Sequence, residues 1–278
     1  MLRILLFLIT NVAVLAMAAI AMSVLTALGF IPQDAPYVQL LIWCALFGFG
    51  GSFISLALSK WVAKRSTKAR VIESPQNDVE RWLVDTVKRQ ADRVGVGMPE
   101  VAIFPSAEPN AFATGMFRNK ALVAVSVGLL NSMNKDQVEA VLGHEMAHVA
   151  NGDMITLTLI QGVLNTFVIF IARIIASQFD RGRFMIYIAL QMAFGILASM
   201  VIAWFSRRRE FRADAGGAEL EGAPAMASAL DRLRSFQGQP SQMPENMAAF
   251  GIRGGGLNKL LSTHPPLEER IARLQGQG

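Results

Sequence analysis

Four stretches of this chain, residues 4–33, 35–59, 154–172 and 184–206, contain no Asp, Glu, Lys or Arg. A bilayer core takes about 20 apolar helical residues, and each window reaches or approaches that length. They point to a mainly α-helical integral membrane protein with four transmembrane helices, at 4–30, 37–59, 154–177 and 184–206. The third runs past Arg173, whose long side chain can snorkel towards headgroups. The first window is too long for the apolar core of a cleaved signal peptide. A second follows almost at once, so the pair reads as an uncleaved hairpin of helices. Windows three and four carry Gln161, Asn165 and Gln191, which leaves a partly buried hairpin as the alternative to two full spans.

The charge pattern sets topology and excludes a nucleic-acid partner. The chain has a net charge of +5, yet residues 71–152 hold 7 basic and 10 acidic groups and residues 213–278 hold 6 and 7. The other 13 basic residues flank the apolar windows, which is a membrane-edge pattern. On one side stand Arg3, Lys60, Lys64, Arg65, Lys68, Arg70, Arg207, Arg208, Arg209 and Arg212; the other has Arg181 and Arg183. Ten against two places both termini and both soluble segments, 66–152 and 207–278, in the cytoplasm of a bacterial-type cell. Cys44 is the only cysteine, so there is neither an intramolecular disulfide nor a cysteine-based metal site.

The first soluble segment reads as α/β: a helix over Asp78–Val94, strands at Val101–Phe104 and Leu122–Val127, and a helix over Lys135–Ala150 capped by Asn134. The second opens at Arg207, then gives a helix over Pro224–Phe236, a Gln/Pro/Met- and Gly-rich loop over 237–256, and a closing helix over Pro266–Leu274.

Chemistry concentrates in His144-Glu145-Met-Ala-His148, which uses two of only three histidines. At i and i+4 on a helix both imidazoles face one way and can share a metal ion. Glu145 is then placed to take a proton from a metal-bound water. The helix ends just before window three, and Arg207–Asp214 begins just after window four. Two spans return the chain to the face it left, so the missing ligand is sought there. Glu210 is the candidate. Asp214 lies one turn on, so one carboxylate of the pair can bind metal while the other accepts the free ring N–H of a ligating histidine. His264, in Thr263-His264-Pro265-Pro266, is either an oxyanion stabiliser or a histidine on a surface turn. Asn110-Ala111-Phe112 is either a strand edge that binds an extended peptide through its backbone or a packed turn.

These motifs together, His-Glu-x-x-His, Glu-x-x-x-Asp, Asn-Ala-Phe-Ala and Thr-His-Pro-Pro, occur in an order that resembles the HtpX family of bacterial heat-shock-associated membrane zinc proteases, within the broader group that includes the CAAX prenyl endoproteases. The resemblance covers essentially the whole chain. It implies a cytoplasmic α/β gluzincin-type protease domain and one zinc ion per chain. His144, His148 and Glu210 would be the ligands, Glu145 the general base and Asp214 the partner of a ligating histidine. His264 would assist the transition state and Asn110–Phe112 would bind substrate. It further implies polypeptide substrates that are misfolded or damaged membrane proteins, degraded in a stress response alongside other membrane quality-control proteases. Rival readings are a processing protease for lipidated peptides, a scaffold or chaperone with a structural metal, and a transporter. The spans hold almost no ionisable groups, which weighs against transport. Against the scaffold, a structural zinc normally has four protein ligands, and no fourth is on offer beyond His264.

Overall fold

The computed structural model describes residues 20, 24, 27–28, 36–236 and 262–276. The expected span at 4–30 and the loop at 237–256 lie outside the described residues, apart from those few positions. The chain forms two compact units, residues 1–56 with 156–202, and residues 57–155 with 203–278.

Helix α1 (Pro36–Thr67) leads into strand β1 (Arg70–Val71), helix α2 (Asp78–Val94), and strands β2 (Glu100–Phe104) and β3 (Ala111–Thr114). A single 3₁₀ turn (Arg118–Lys120) precedes strand β4 (Leu122–Ser126). Helices α3 (Val127–Ser132), α4 (Lys135–Asn151), α5 (Asp153–Ser177), α6 (Arg183–Glu221), α7 (Ala223–Arg234) and α8 (Leu267–Gln275) follow. The four strands form one mixed sheet in the order β1-β2-β4-β3, with β2 and β4 parallel and both edge strands antiparallel. The two-residue β1 was not foreseen; a run of two has no periodicity to read. Val127 begins α3 instead of ending β4, because the Ser126 hydroxyl accepts the Leu129 N–H as an N-cap.

Both faces of the sheet are covered, which is why β4 reads as an unbroken apolar run instead of an alternation. Val123 and Val125 face a core with Leu83 and Val87 of α2 and Val141 and Leu142 of α4. Leu122 and Ala124 face the opposite way, with Phe104, Phe112 and Ala63 of α1. The tail of α1 therefore lies against the sheet.

Among the described residues three helices, α1, α5 and α6, are long and apolar enough to cross a membrane. In the first unit Gly48 of α1 touches α5 so closely that an added Cβ would stand 2.4 Å from Thr166 Oγ1. Small residues at such a crossing let helix backbones approach where no hydrophobic drive exists. Among the described residues nothing covers the apolar outer side of α6, where Phe184, Met185 and Met192 are each about 70% exposed. An apolar outer side of this kind suits lipid.

Candidate metal centre

The site is built on α4. Asn134 and Gln137 form a capping box at its start: the Asn134 side chain accepts the Gln137 N–H and the Gln137 side chain accepts the Asn134 N–H. Gly152, at φ 66°, ends the helix in the left-handed conformation that glycine adopts without Cβ strain. Between these stops, His144 and His148 project from one face, their rings 4.7 Å apart and nearly perpendicular.

The third arm comes from α6, beyond its apolar window. It reaches α4 because the helices meet along small residues. Gly143 faces Gly217, and an added Cβ on Gly216 would stand 2.7 Å from that of Ala147. Two adjacent glycines inside a helix each cost about 1 kcal/mol against alanine. Here they permit the close approach that carries Glu210 to the histidines. Glu210 Oε1 lies 3.2 Å from His148 Nε2, and Oε2 lies 3.5 Å from His144 Nε2. One ligand atom from each of His144, His148 and Glu210 falls within 4.8 Å of the others, and all three residues are buried.

The far side of each ring is tied to a carboxylate. His144 Nδ1 is 3.0 Å from Asp214 Oδ1, and His148 Nδ1 is 2.7 Å from Asp153 Oδ2. Both Nδ1 atoms thus have a partner that fixes the ring, and both Nε2 atoms are turned towards Glu210, an arrangement suited to a cation. Asp214 is gripped by Arg270 of α8 through two hydrogen bonds of 2.6 and 2.8 Å. Asp153, the first residue of α5, accepts Arg212 on Oδ1 and Arg209 on its carbonyl, each at 2.8 Å.

Charge follows from these contacts. Burial opposes ionisation of Asp214, but Arg270 outweighs it and pulls the carboxyl down to about 2. Burial also opposes the His148 cation, yet the Asp153 and Glu210 carboxylates raise it to about 10. His144 is raised for the same reason by Asp214 and Glu210. Glu210 is held well below the usual carboxylate range by His264, His144 and His148, against its burial. Glu145 moves the other way. Burial pushes it up, with the two histidines acting against. A carboxyl lifted towards neutrality is what proton transfer near neutral pH requires.

His264 is brought in. Its side chain is 9% exposed and Nδ1 stands 2.9 Å from Glu210 Oε2. Neither ring nitrogen has an aligned hydrogen-bond partner, and Glu210 Oε2 lacks one too. Those orphaned buried atoms fit a site that takes a further group. A solvated surface-turn histidine does not describe this position.

Of Asn110-Ala111-Phe112, the last two residues open the edge strand β3 and Asn110 directly precedes it; Ala111 to Thr114 are all buried. The Ser126 N–H donates to the Asn110 carbonyl at 2.9 Å. By the two-residue period of an antiparallel ladder, Phe112 and Thr114 also bond to β4, while Ala111 and Ala113 turn their backbone groups away from it, on a side that is buried. The Ala113 N–H meets Glu145 there. Phe112 points the other way, against Phe104.

Sequence reasoning passed over Asp153 and Arg270. Arg270 shares a helix face with Leu267 and Leu274 and is fully buried, so a charge on an apolar stripe was its signal. Asp153 stands straight after a helix-ending Asn151-Gly152 pair, a turn that swings the next side chain back towards His148.

The model of Peptidase family M48 matches residues 77–277. Protease HtpX of Thioalkalivibrio sulfidiphilus (strain HL-EbGR7) is 56% identical, over 98% of each chain. Protease HtpX of Stenotrophomonas maltophilia (strain K279a) is 57% identical over 98% of this chain and 97% of that one. Among solved structures, the crystal structure of S. mikatae Ste24p is 17% identical with a TM-score of 0.62, over 95% of this chain and 67% of that one. That likeness is one of fold.

Proposed function

This chain belongs to peptidase family M48 and is a metalloprotease with membrane-type helices, and from that premise we propose a zinc-dependent endopeptidase of the bacterial inner membrane that cleaves misfolded or damaged membrane proteins on the cytoplasmic side. The single observation that carries the catalytic reading is the convergence of His144 Nε2, His148 Nε2 and a Glu210 oxygen, with Glu145 one residue from the first. Two imidazoles and one carboxylate suit zinc, and three protein ligands leave the open position that catalysis uses. Among the described residues the cluster has no fourth member, which supports a catalytic over a structural metal.

His144, His148 and Glu210 would hold the zinc, which when bound would supply Lewis acidity for activating a water and polarising the scissile carbonyl. The protein's own groups do the rest. Asp214 and Asp153 keep the Nδ1 protons of the two histidines, so that each ring offers Nε2. The segment Asn110–Phe112, at the start of the edge strand β3, would hydrogen-bond an extended substrate backbone, which gives weak sequence specificity. Glu145, lifted by burial, takes a proton from the attacking water and returns it to the leaving amine. His264 donates to the oxygen that gains charge as water attacks the carbonyl.

In this reading residues 66–152 and 207–278 make one cytoplasmic protease domain and the first apolar window is a fourth span. Cooperation with other quality-control proteases belongs to the same reading. Glu145→Gln tests it. Peptide cleavage by the detergent-purified chain should vanish while zinc content stays near one per chain. Cleavage retained in the variant overturns the role of Glu145; zinc lost together with activity overturns the separation of base from ligands.

A further inference from the structure

A short loop joins β3 to β4, and its exposed side is unlike the rest of the domain surface. Phe117, Arg118, Asn119 and Lys120 are all exposed, and Phe117 shows 60% of its surface. A large aromatic ring at that exposure, beside two basic side chains, costs solubility and has no packing role. Among the described residues neither Arg118 nor Lys120 makes an ion pair.

The loop is fixed at two points, each at the end of an apolar window. Lys60 Nζ donates to the Lys120 carbonyl at 2.9 Å, and Lys60 is the first charge after the window 35–59. Trp61, 48% exposed, follows it at the place where an aromatic belt forms. On its other side the loop meets the start of α5. Met116, Phe117 and Arg118 line a shallow cleft with Gly152, Met154 and Ile155, and Met154 begins the charge-free window 154–172. The neighbouring Val96–Pro99 loop is tied to the same place by the Gly97 N–H, which donates to Asn119 Oδ1 at 2.9 Å, and it exposes Met98 by 43%.

Two membrane-crossing helices therefore bracket this loop at the level where each changes from apolar to charged. We propose that Met116–Lys120 is an interfacial anchor: Phe117 inserts among the acyl chains of the bilayer while Arg118 and Lys120 lie against anionic headgroups. Aromatic rings and basic residues share that zone because one wants the acyl boundary and the other the phosphates. The loop continues directly from Thr114 at the end of β3. Insertion at Phe117 would hold the substrate strand beside the lipid surface, where segments leaving the membrane are within reach. The inference rests on the reading of α1 and α5 as membrane spans.

The test places a nitroxide on the full chain in nanodiscs of phosphatidylethanolamine and phosphatidylglycerol. Cys44→Ala removes the native thiol, and single cysteines are introduced by Phe117→Cys, by Val163→Cys inside the α5 window, and by Asp136→Cys at the far end of α4. Collision with oxygen and with a water-soluble nickel complex is then read for each label. The 117 label should collide more with oxygen than with nickel, as the 163 label does and the 136 label does not. A 117 label as open to nickel as 136, with 163 still in lipid, overturns the anchor alone. A 117 label closed to both reagents also overturns it, since protein then covers the loop. Labels at both 117 and 163 open to nickel overturn the span reading itself.

Discussion

Replacing Asp153 by asparagine exchanges one carboxylate oxygen for an NH₂ group with almost no change in volume, yet it sets a donor against a donor at one of two places. Asp153 Oδ2 faces His148 Nδ1 at 2.7 Å and Oδ1 accepts Arg212 at 2.8 Å, with the residue itself fully buried. In the variant the new amide NH₂ must point at one of them. Pointed at Arg212, it breaks the hydrogen bond from the guanidinium. Pointed at His148, it forces the ring to accept on Nδ1, which moves the remaining proton to Nε2 and removes the lone pair the metal needs. Leaving one buried polar group unsatisfied costs about 1–3 kcal/mol. Loss of an outer partner of a ligating histidine weakens metal binding about 10–100-fold, or roughly 1.4–2.7 kcal/mol, the same window reached independently. Competition for zinc between the purified chain and a chromophoric chelator at neutral pH should show that weakening in Asp153→Asn. Arg212→Gln, which keeps the carboxylate, should fall well short of it. A zinc affinity for Asp153→Asn within about twofold of the parent, under about 0.5 kcal/mol, would refute the claim that Asp153 sets the His148 ring.

Two further outcomes follow from the same packing and charges. In the metal-free site the Asp153 and Glu210 carboxylates hold His148 up at about 10, so it carries a proton at neutral pH that a metal must displace, and His144 is raised in the same direction. Zinc affinity should therefore rise with pH, by about tenfold per unit for the proton displaced from His148, and level off as pH passes about 10; an affinity flat in pH between about 6 and 8 counts against a protonated His148. Gly216→Ala gains about 1 kcal/mol of helix propensity. It also places a Cβ 2.7 Å from that of Ala147, on the stretch between the two histidines. Overpacking of this kind costs about 1–3 kcal/mol, so thermal unfolding should come earlier and zinc should bind more weakly; a more stable variant would show that α4 and α6 are not in close contact there.

The parts of this protein that were legible in its sequence are those fixed by local spacing. His144, Glu145 and His148 are set by one helical turn, Asn134 by the cap it makes, and Glu210 with Asp214 by another turn. What escaped depends on contacts distant in sequence or on backbone too short to show a period. Arg270 meets Asp214 across 56 residues, and only its place on the Leu267–Leu274 face hinted at burial. β3 is a four-residue strand of alanine, phenylalanine and threonine, equally compatible with a packed turn until its register with β4 decides. The reach of Glu210 to α4 depends on the Gly216-Gly217 seam, which in sequence reads as a weak point in a helix.

The central claim is that two imidazoles from α4 and one carboxylate from α6 bind a single ion. X-ray absorption at the zinc edge of the loaded full chain, compared with Glu210→Ala, reads this most directly. The account predicts two imidazole nitrogens and oxygen donors at about 2.0–2.1 Å in the parent, and a sharp fall in zinc bound per chain in the variant. An unchanged spectrum and zinc content in Glu210→Ala, or a parent ion with fewer than two imidazoles, would contradict it.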